Sequence, residues 1–263
     1  MKKITRLSGV RVSPGNGLAR VVVSEDDLAV AQMPDLLMWI EAGARFKSDD
    51  DHSLLDRVTG NRLYPLSTSD SNQLPVLGSF SSGADSLEFA VDGMQPYRAA
   101  SEQEFVLNPN EWSFVMVLHP VAGNSPDEII GPYDSETDPD SIHVRFGLSS
   151  SNKFNLWTGS TNARLSTPAD AGFYGNDLIV AVTFNVTDGI KIMVNGVAVA
   201  ENKTDLRPLT NPSFKIGGNG STTNIFGGKI GHILAFNTDI SRDEYAGYRE
   251  KMEAIFKARY GIS

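Results

Sequence analysis

The residues best equipped for recognition chemistry lie around Trp157. An indole can stack on the apolar side of a pyranose while amide side chains pair with its hydroxyls, so Trp157 with Asn155, Asn162, Tyr174 and Asn176 forms a candidate glycan-binding set. The competing reading buries Trp157 in the core, because it follows Phe154-Asn155-Leu156 in a strand pattern. A second set is the acidic loop Asp134-Ser135-Glu136-Thr137-Asp138-Pro139-Asp140, with a carboxylate at every second position. Hard cations such as calcium take oxygen ligands of this kind. The loop lacks the glycine and closing glutamate of an EF-hand, and its alternative is a solvated rim loop. No cofactor is expected, with calcium the one ion left open.

Other chemistries have little to stand on. The chain has no cysteine, which removes disulfides, thiol nucleophiles and cysteine-based zinc sites. His52, His119, His143 and His232 include no i, i+4 pair, so there is no zincin helix, and they read as satisfied sheet histidines, three of them in strands. No G-x-S-x-G elbow occurs, and Gly217-Gly218-Asn219-Gly220 leads to a strand rather than a helix, unlike a phosphate cradle.

Charge divides the chain unevenly. Residues 1–23 carry Lys2, Lys3, Arg6, Arg11 and Arg20 and no acid, so against a net charge of −9 the remaining residues sum to −14. Five cations spread among Val, Leu and Gly make no dense patch and have no aromatic interleaving, which argues against nucleic acid. A basic arm docking on an acidic neighbour is the better reading. The start, MKKITRLSGVRVSPG, has no apolar core, so no secretory signal is expected, and no run approaches the roughly 20 residues of a membrane helix.

The elements that must position these residues are mostly strands. In Leu178–Ala200, Val180, Val182 and Phe184 share one face, Asp188-Gly189 closes a turn, and Ile190, Ile192 and Val194 repeat the alternation. Asn195-Gly196 then suits a type I′ hairpin, predicting a three-strand meander. Trp112–His119 is apolar on both faces and predicts a central strand, as does Leu36–Ile40. Further strands are expected at 87–91, 129–130, 142–146, 154–157, 214–216 and 229–236. Between Gly43 and Ser86 the chain is rich in Ser, Asp, Asn and Gly and reads as long surface connections with the apolar islands Leu54-Leu55 and Leu63–Leu66.

Two helices complete the prediction. Ser24 before Glu25-Asp26-Asp27 caps a short helix to about Gln32. Ser241-Arg242-Asp243-Glu244 fits a capping box opening a helix over 241–260, with Tyr245, Tyr248, Met252, Ile255 and Phe256 on one face and Gly261 at the left-handed end. The fold class is therefore all-β: a two-sheet antiparallel jelly-roll sandwich with an N-terminal arm and a C-terminal α-helix. Residues 1–34 form the arm with its short helix, and 35–263 the domain.

These residues resemble the concanavalin A-like lectin/glucanase superfamily, specifically its laminin-G-like jelly rolls. The resemblance runs from about Asp35 to Ile262. Carrying it are DLLMWIEA at 35–42, DRVTGN at 56–61, SLEF at 86–89, WSFVMV at 112–117, VNG at 194–196, FKIGG at 214–218 and KIGHILAFN at 229–237, with the capped helix ending in YGI. Glucanases of that superfamily carry E-x-D-x-E on one strand, whose alternate residues face the same way and flank a glycosidic bond. Here the nearest string, Glu136-Thr137-Asp138-Pro139-Asp140, ends in Asp and contains a proline, so no catalytic residues are assigned. Rim-loop calcium is common in the family, which adds to the reading of 134–140.

The resemblance implies a virion component of the kind found among phage structural proteins, a head decoration or tail fibre, non-enzymatic and docked to other virion proteins through the basic arm. It would assemble in the host cytoplasm as a homo-oligomer, a trimer among the options, without membrane contact. The alternative is a lectin-like module for host-surface carbohydrate, and the second alternative a glycoside hydrolase.

Overall fold

A computed structural model describes residues 24–44, 53–65, 74–89, 97–99, 105–122, 127–132, 142–149, 151–157, 163–169, 171–217 and 226–263. Arm residues Lys2, Lys3, Arg6, Arg11 and Arg20, the acidic loop 134–140, Asn162 and His52 lie outside the described residues.

The order begins with α1 (Glu25–Ala31) and β1 (Leu36–Glu41), then β2 (Leu54–Leu55), β3 (Arg62–Pro65), β4 (Val76–Ser79), β5 (Asp85–Phe89) and β6 (Tyr97–Ala99). The middle holds β7 (Glu111–Pro120), β8 (Asp127–Pro132), β9 (Arg145–Ser149), β10 (Lys153–Trp157) and β11 (Ala163–Ser166). The meander follows as β12 (Leu178–Asn185), β13 (Gly189–Val194) and β14 (Val197–Asn202), and then β15 (Phe214–Ile216), β16 (Gly228–Phe236) and α2 (Ala246–Tyr260). One sheet runs β14-β13-β12-β7-β16-β5-β4, with β1 also on β16; the other runs β11-β10-β9-β8-β15-β6-β3-β2. All the registered strand pairs are antiparallel.

Period-two alternation builds the three layers. Trp112, Phe114, Met116 and Leu118 of β7, with Val180, Val182 and Phe184 of β12, face the second sheet and meet Phe146, Leu148, Phe154, Leu156, Phe214 and Ile216. The opposite face of β7 sends Val115 and Val117 into a separate core with Trp39, Leu234, Phe256 and Tyr260 beneath the helices. A central strand needs both faces apolar because one sheet separates two cores. Asn195 (φ 51°) and Gly196 (φ 87°) form the expected left-handed turn.

Helix α1 follows its sequence cues: Ser24 Oγ accepts from the Asp27 amide at 3.0 Å. It also packs on the body, burying Ala29 and Val30 in the helix-side core, which Met33 joins just past the helix end. Helix α2 departs from the predicted capping box. The turn Asp243–Tyr245 is a 3₁₀ helix with no side-chain cap, and the α-helix starts at Ala246. Asp239 Oδ1 takes the Ser241 amide at 2.9 Å, and Glu244 pairs with Arg242 at 3.5 Å. Local carboxylate bonding thus displaces the box. Tyr248 stays half exposed, and Tyr260 is buried instead; Gly261 caps the end at φ 67° as expected. The stretch read as surface connection contains β2, β3 and β4, too short to show a period. His143 precedes β9, leaving two described strand histidines, His119 and His232. Among the described residues, no helix is long and apolar enough to cross a membrane.

Candidate functional site

Because α1 and α2 close the outer face of the first sheet, the outer face of the second sheet is the sandwich's other broad surface. Phe146, Leu148, Phe154, Leu156, Phe214 and Ile216 point inward, so their strand neighbours point outward. Register places Trp157 opposite Arg145, Asn155 opposite Gly147, and Gly147 opposite Glu128. Lys215 follows on β15, opposite Gly131, and Tyr64 lies further along on β3. Five strand spacings separate Trp157 from Tyr64, roughly 24 Å.

The strip is charged and ordered. Arg145 Nε donates to Glu128 Oε1 at 2.5 Å, and the guanidinium lies 5.2 Å from the Trp157 ring centre, a cation–π contact. Glu128, Lys215 and Asn155 are buried, Trp157 is half-buried, and Tyr64 is 45% exposed. Gly147, itself buried, puts no side chain between Asn155 and Glu128. Of these side chains, half-buried Trp157 and exposed Tyr64 are the ones solvent reaches, with the buried Arg145 and Glu128 holding the indole from behind.

The predicted glycan set is therefore divided. Asn155 and Trp157 share the strip. Tyr174 lies in the 171–177 turn, where its hydroxyl donates to the Ser149 carbonyl at 3.0 Å and its amide to Asn152 Oδ1 at 3.0 Å. Asn176 is exposed elsewhere, in a cleft of about 540 Å³ at the end of the first sheet, lined by Phe80, His119, Asn176, Asp177 and Lys229 among others. Arg145, Glu128 and Lys215 were missed because charge inside a strand usually signals a solvated face. Their alternation with Phe146, Ile129 and Phe214 was the available clue.

In that cleft His119 Nδ1 lies 2.7 Å from Asp177 Oδ1, and Ser81 Oγ donates to Asp177 Oδ2 at 2.9 Å. Lys229 Nζ reaches the Ser79 carbonyl at 2.6 Å and Glu88 at 3.0 Å. No group of three or more His, Asp or Glu side chains among the described residues is arranged to hold a metal ion.

A third polar cluster is structural. Asp27, Glu41, Arg57 and Arg259 form a closed ring of ion pairs: Arg57 to Glu41, Arg57 to Asp27 at 3.2 Å, Arg259 to Glu41 at 2.9 Å and Arg259 to Asp27 at 3.0 Å. Burial pushes the Asp27 carboxyl up, but the two guanidiniums overcome this and hold it below its ordinary value. Beneath the ring, fully buried His232 accepts from Trp39 Nε1 at 3.1 Å and stacks on Phe256 at 4.6 Å. Burial, reinforced by Arg259 and Arg57, holds its pKa well below 6.5, so the imidazole is neutral. Every charge here has a partner, and the ring locks α1, α2 and the 56–60 turn onto the sheet.

No protein-family model and no curated protein matches this sequence. Solved structures do overlay on it. A Trypanosoma rangeli sialidase in complex with the inhibitor DANA gives a TM-score of 0.54 at 11% identity, covering 84% of this chain and 32% of its own. The same sialidase in complex with sialic acid gives 0.51 at 12%, covering 87% and 34%. The CBM40 of Ruminococcus gnavus IT-sialidase bound to α2,3-sialyllactose gives 0.44 at 16%, covering 52% and 81%. This chain spans about a third of the length of the sialidase chains. The likeness at this identity is one of fold: the chain is an antiparallel β-sandwich that overlays on part of the sialidase chain.

Proposed function

We propose that this chain is a non-enzymatic carbohydrate-binding module whose ligand stacks on Trp157 at the outer face of the second sheet. The observation that carries this reading is the Arg145–Trp157 unit, braced by Glu128 and set in register beside Asn155. An aromatic face binds the apolar side of a sugar ring, and fixed planar polar groups pair with its hydroxyls or carboxylate. The overlaid sialidase is known in complex with sialic acid, which makes sialyl glycans the first ligands to test. This reading takes precedence over attachment to a virion through residues 1–34, because it rests on described side chains.

The test is a glycan array followed by calorimetric titration of the full chain with α2,3- and α2,6-sialyllactose, with and without calcium. Binding that disappears in Trp157→Ala supports the assignment. A blank array under both conditions overturns it.

A further inference from the structure

We propose that the His119–Asp177 cleft is a second, separate sugar site, which takes a vicinal diol of a neutral pyranose. It lies on the helix side of the first sheet, past the end of α2, and so on the opposite face of the sandwich from Trp157. His119 belongs to the face of β7 that also carries Val115 and Val117, and in register it adjoins Lys229 and then Glu88. Phe80, whose ring meets Tyr260 edge-on at 4.7 Å, closes the cleft toward the helix. A volume of about 540 Å³ is within the range of small-ligand clefts.

The free valences of the lining groups determine the ligand chemistry. Asp177 uses both oxygens, one on His119 Nδ1 and one on Ser81 Oγ. A carboxylate only accepts, so His119 Nδ1 carries a proton and donates to it, and Nε2 has no partner among the described residues. Asn176 spends its Nδ2 on the Gly172 carbonyl at 2.7 Å, leaving Oδ1 as an acceptor. The Lys229 ammonium has three donors and two partners, Ser79 O and Glu88, leaving one donor. The Nε2 of His119, the Asn176 Oδ1 acceptor and one ammonium donor match a diol, because each of its hydroxyls can both donate and accept. Charge argues against an anion. Lys229 is already neutralised by Glu88, and His119 faces the carboxylate of Asp177.

This inference stands independently of the proposed function, since the two sites share no residue. The experiment is ¹H–¹⁵N NMR of the full chain titrated with methyl α-D-mannopyranoside. Its 2,3-di-O-methyl derivative and glycerol serve as controls. Expected are shifts at Gly175, Asn176 and Asp177 that persist in Trp157→Ala, weaken with the methylated sugar and are small with glycerol. Asp177→Asn keeps both hydrogen bonds but donates to His119 Nδ1, moving the ring proton to Nε2. Asp177 is a positioning residue, so its substitution is expected to weaken sugar binding roughly 3–10-fold, with the His119 ring ¹⁵N resonances reporting the exchanged tautomer. Absence of shifts at 175–177 overturns the proposal. Loss of those shifts in Trp157→Ala, equal shifts with glycerol, or unchanged affinity in an Asp177→Asn protein that shows the new tautomer would do so too. Should 175–177 respond while Trp157→Ala binds sialyllactose as wild type does, the second site stands and the proposed function fails.

Discussion

The Arg145 guanidinium lies 5.2 Å from the centre of the Trp157 ring, while its Nε donates to Glu128. The carboxylate fixes the cation and the cation fixes the indole, so the aromatic face is positioned before any ligand arrives. Trp157→Ala is expected to weaken binding of a sialyl glycan roughly 30-fold, the effect of removing a central aromatic anchor. The urea midpoint should move little, because the ring is only half-buried. Arg145→Lys preserves charge but not the planar fork, and about a tenfold loss is expected. Calorimetry on both variants checks this, and equal affinity in all three proteins removes the strip as the site.

His232 should impose a pH dependence on stability. Its folded pKa is depressed well below 6.5, so below pH 6.5 the unfolded chain binds a proton that the folded chain refuses. Stability therefore falls as pH drops from about 6.5, by at most about 1.4 kcal/mol per pH unit. His232→Gln, whose amide oxygen can take the Trp39 proton, should be less stable at pH 7 but flatter between about pH 6.5 and 5. Urea unfolding at several pH values compares the two slopes, and parallel slopes would contradict the neutral buried imidazole.

The Asp27–Glu41–Arg57–Arg259 ring should matter more to helix docking than to the sandwich. Arg259→Ala leaves two carboxylates sharing Arg57, and a loss of about 1–2 kcal/mol is expected, held down by the partial exposure of the ring. Since the Asp27 pKa is lowered on folding, its contribution is fully present above 3.8 and is lost as pH falls below that value. Hydrogen exchange should show faster opening of α1 in the variant, with β7 and β12 unchanged. Uniform acceleration across both would show that the helices do not open independently.

Two glycines make opposite demands. At Gly196, φ is +87° and a Cβ would meet the Glu253 carboxylate at 2.3 Å, so Gly196→Ala should cost about 1 kcal/mol, softened by movement of that side chain. At Gly231 the backbone is unstrained, but a Cβ would stand 2.7 Å from the Tyr260 ring, which Phe80 and His232 hold in place. Gly231→Ala should therefore cost more, about 1–3 kcal/mol, by lifting the end of α2. Thermal unfolding ranks them, and the reverse order would show that Tyr260 is free to move.

Local chemistry alone determined much of this protein. The 178–200 meander, the doubly apolar β7, the Ser24 cap and the Gly261 terminus were legible because each depends on period or dihedral preference within a few residues. So was the two-sheet class. Tertiary structure decided which of the polar residues meet. Glu128 and Arg145 sit on adjacent strands, Asp177 finds His119 across 58 positions, and Arg259 finds Asp27 across 232. Strand order and the docking of the two helices set these partnerships, and side-chain periodicity carries no information about either. The same holds for the predicted glycan set: Asn155 and Trp157 share a face by alternation within one strand, whereas Asn176 reaches the opposite face through a turn that Asn152 fixes from another part of the chain.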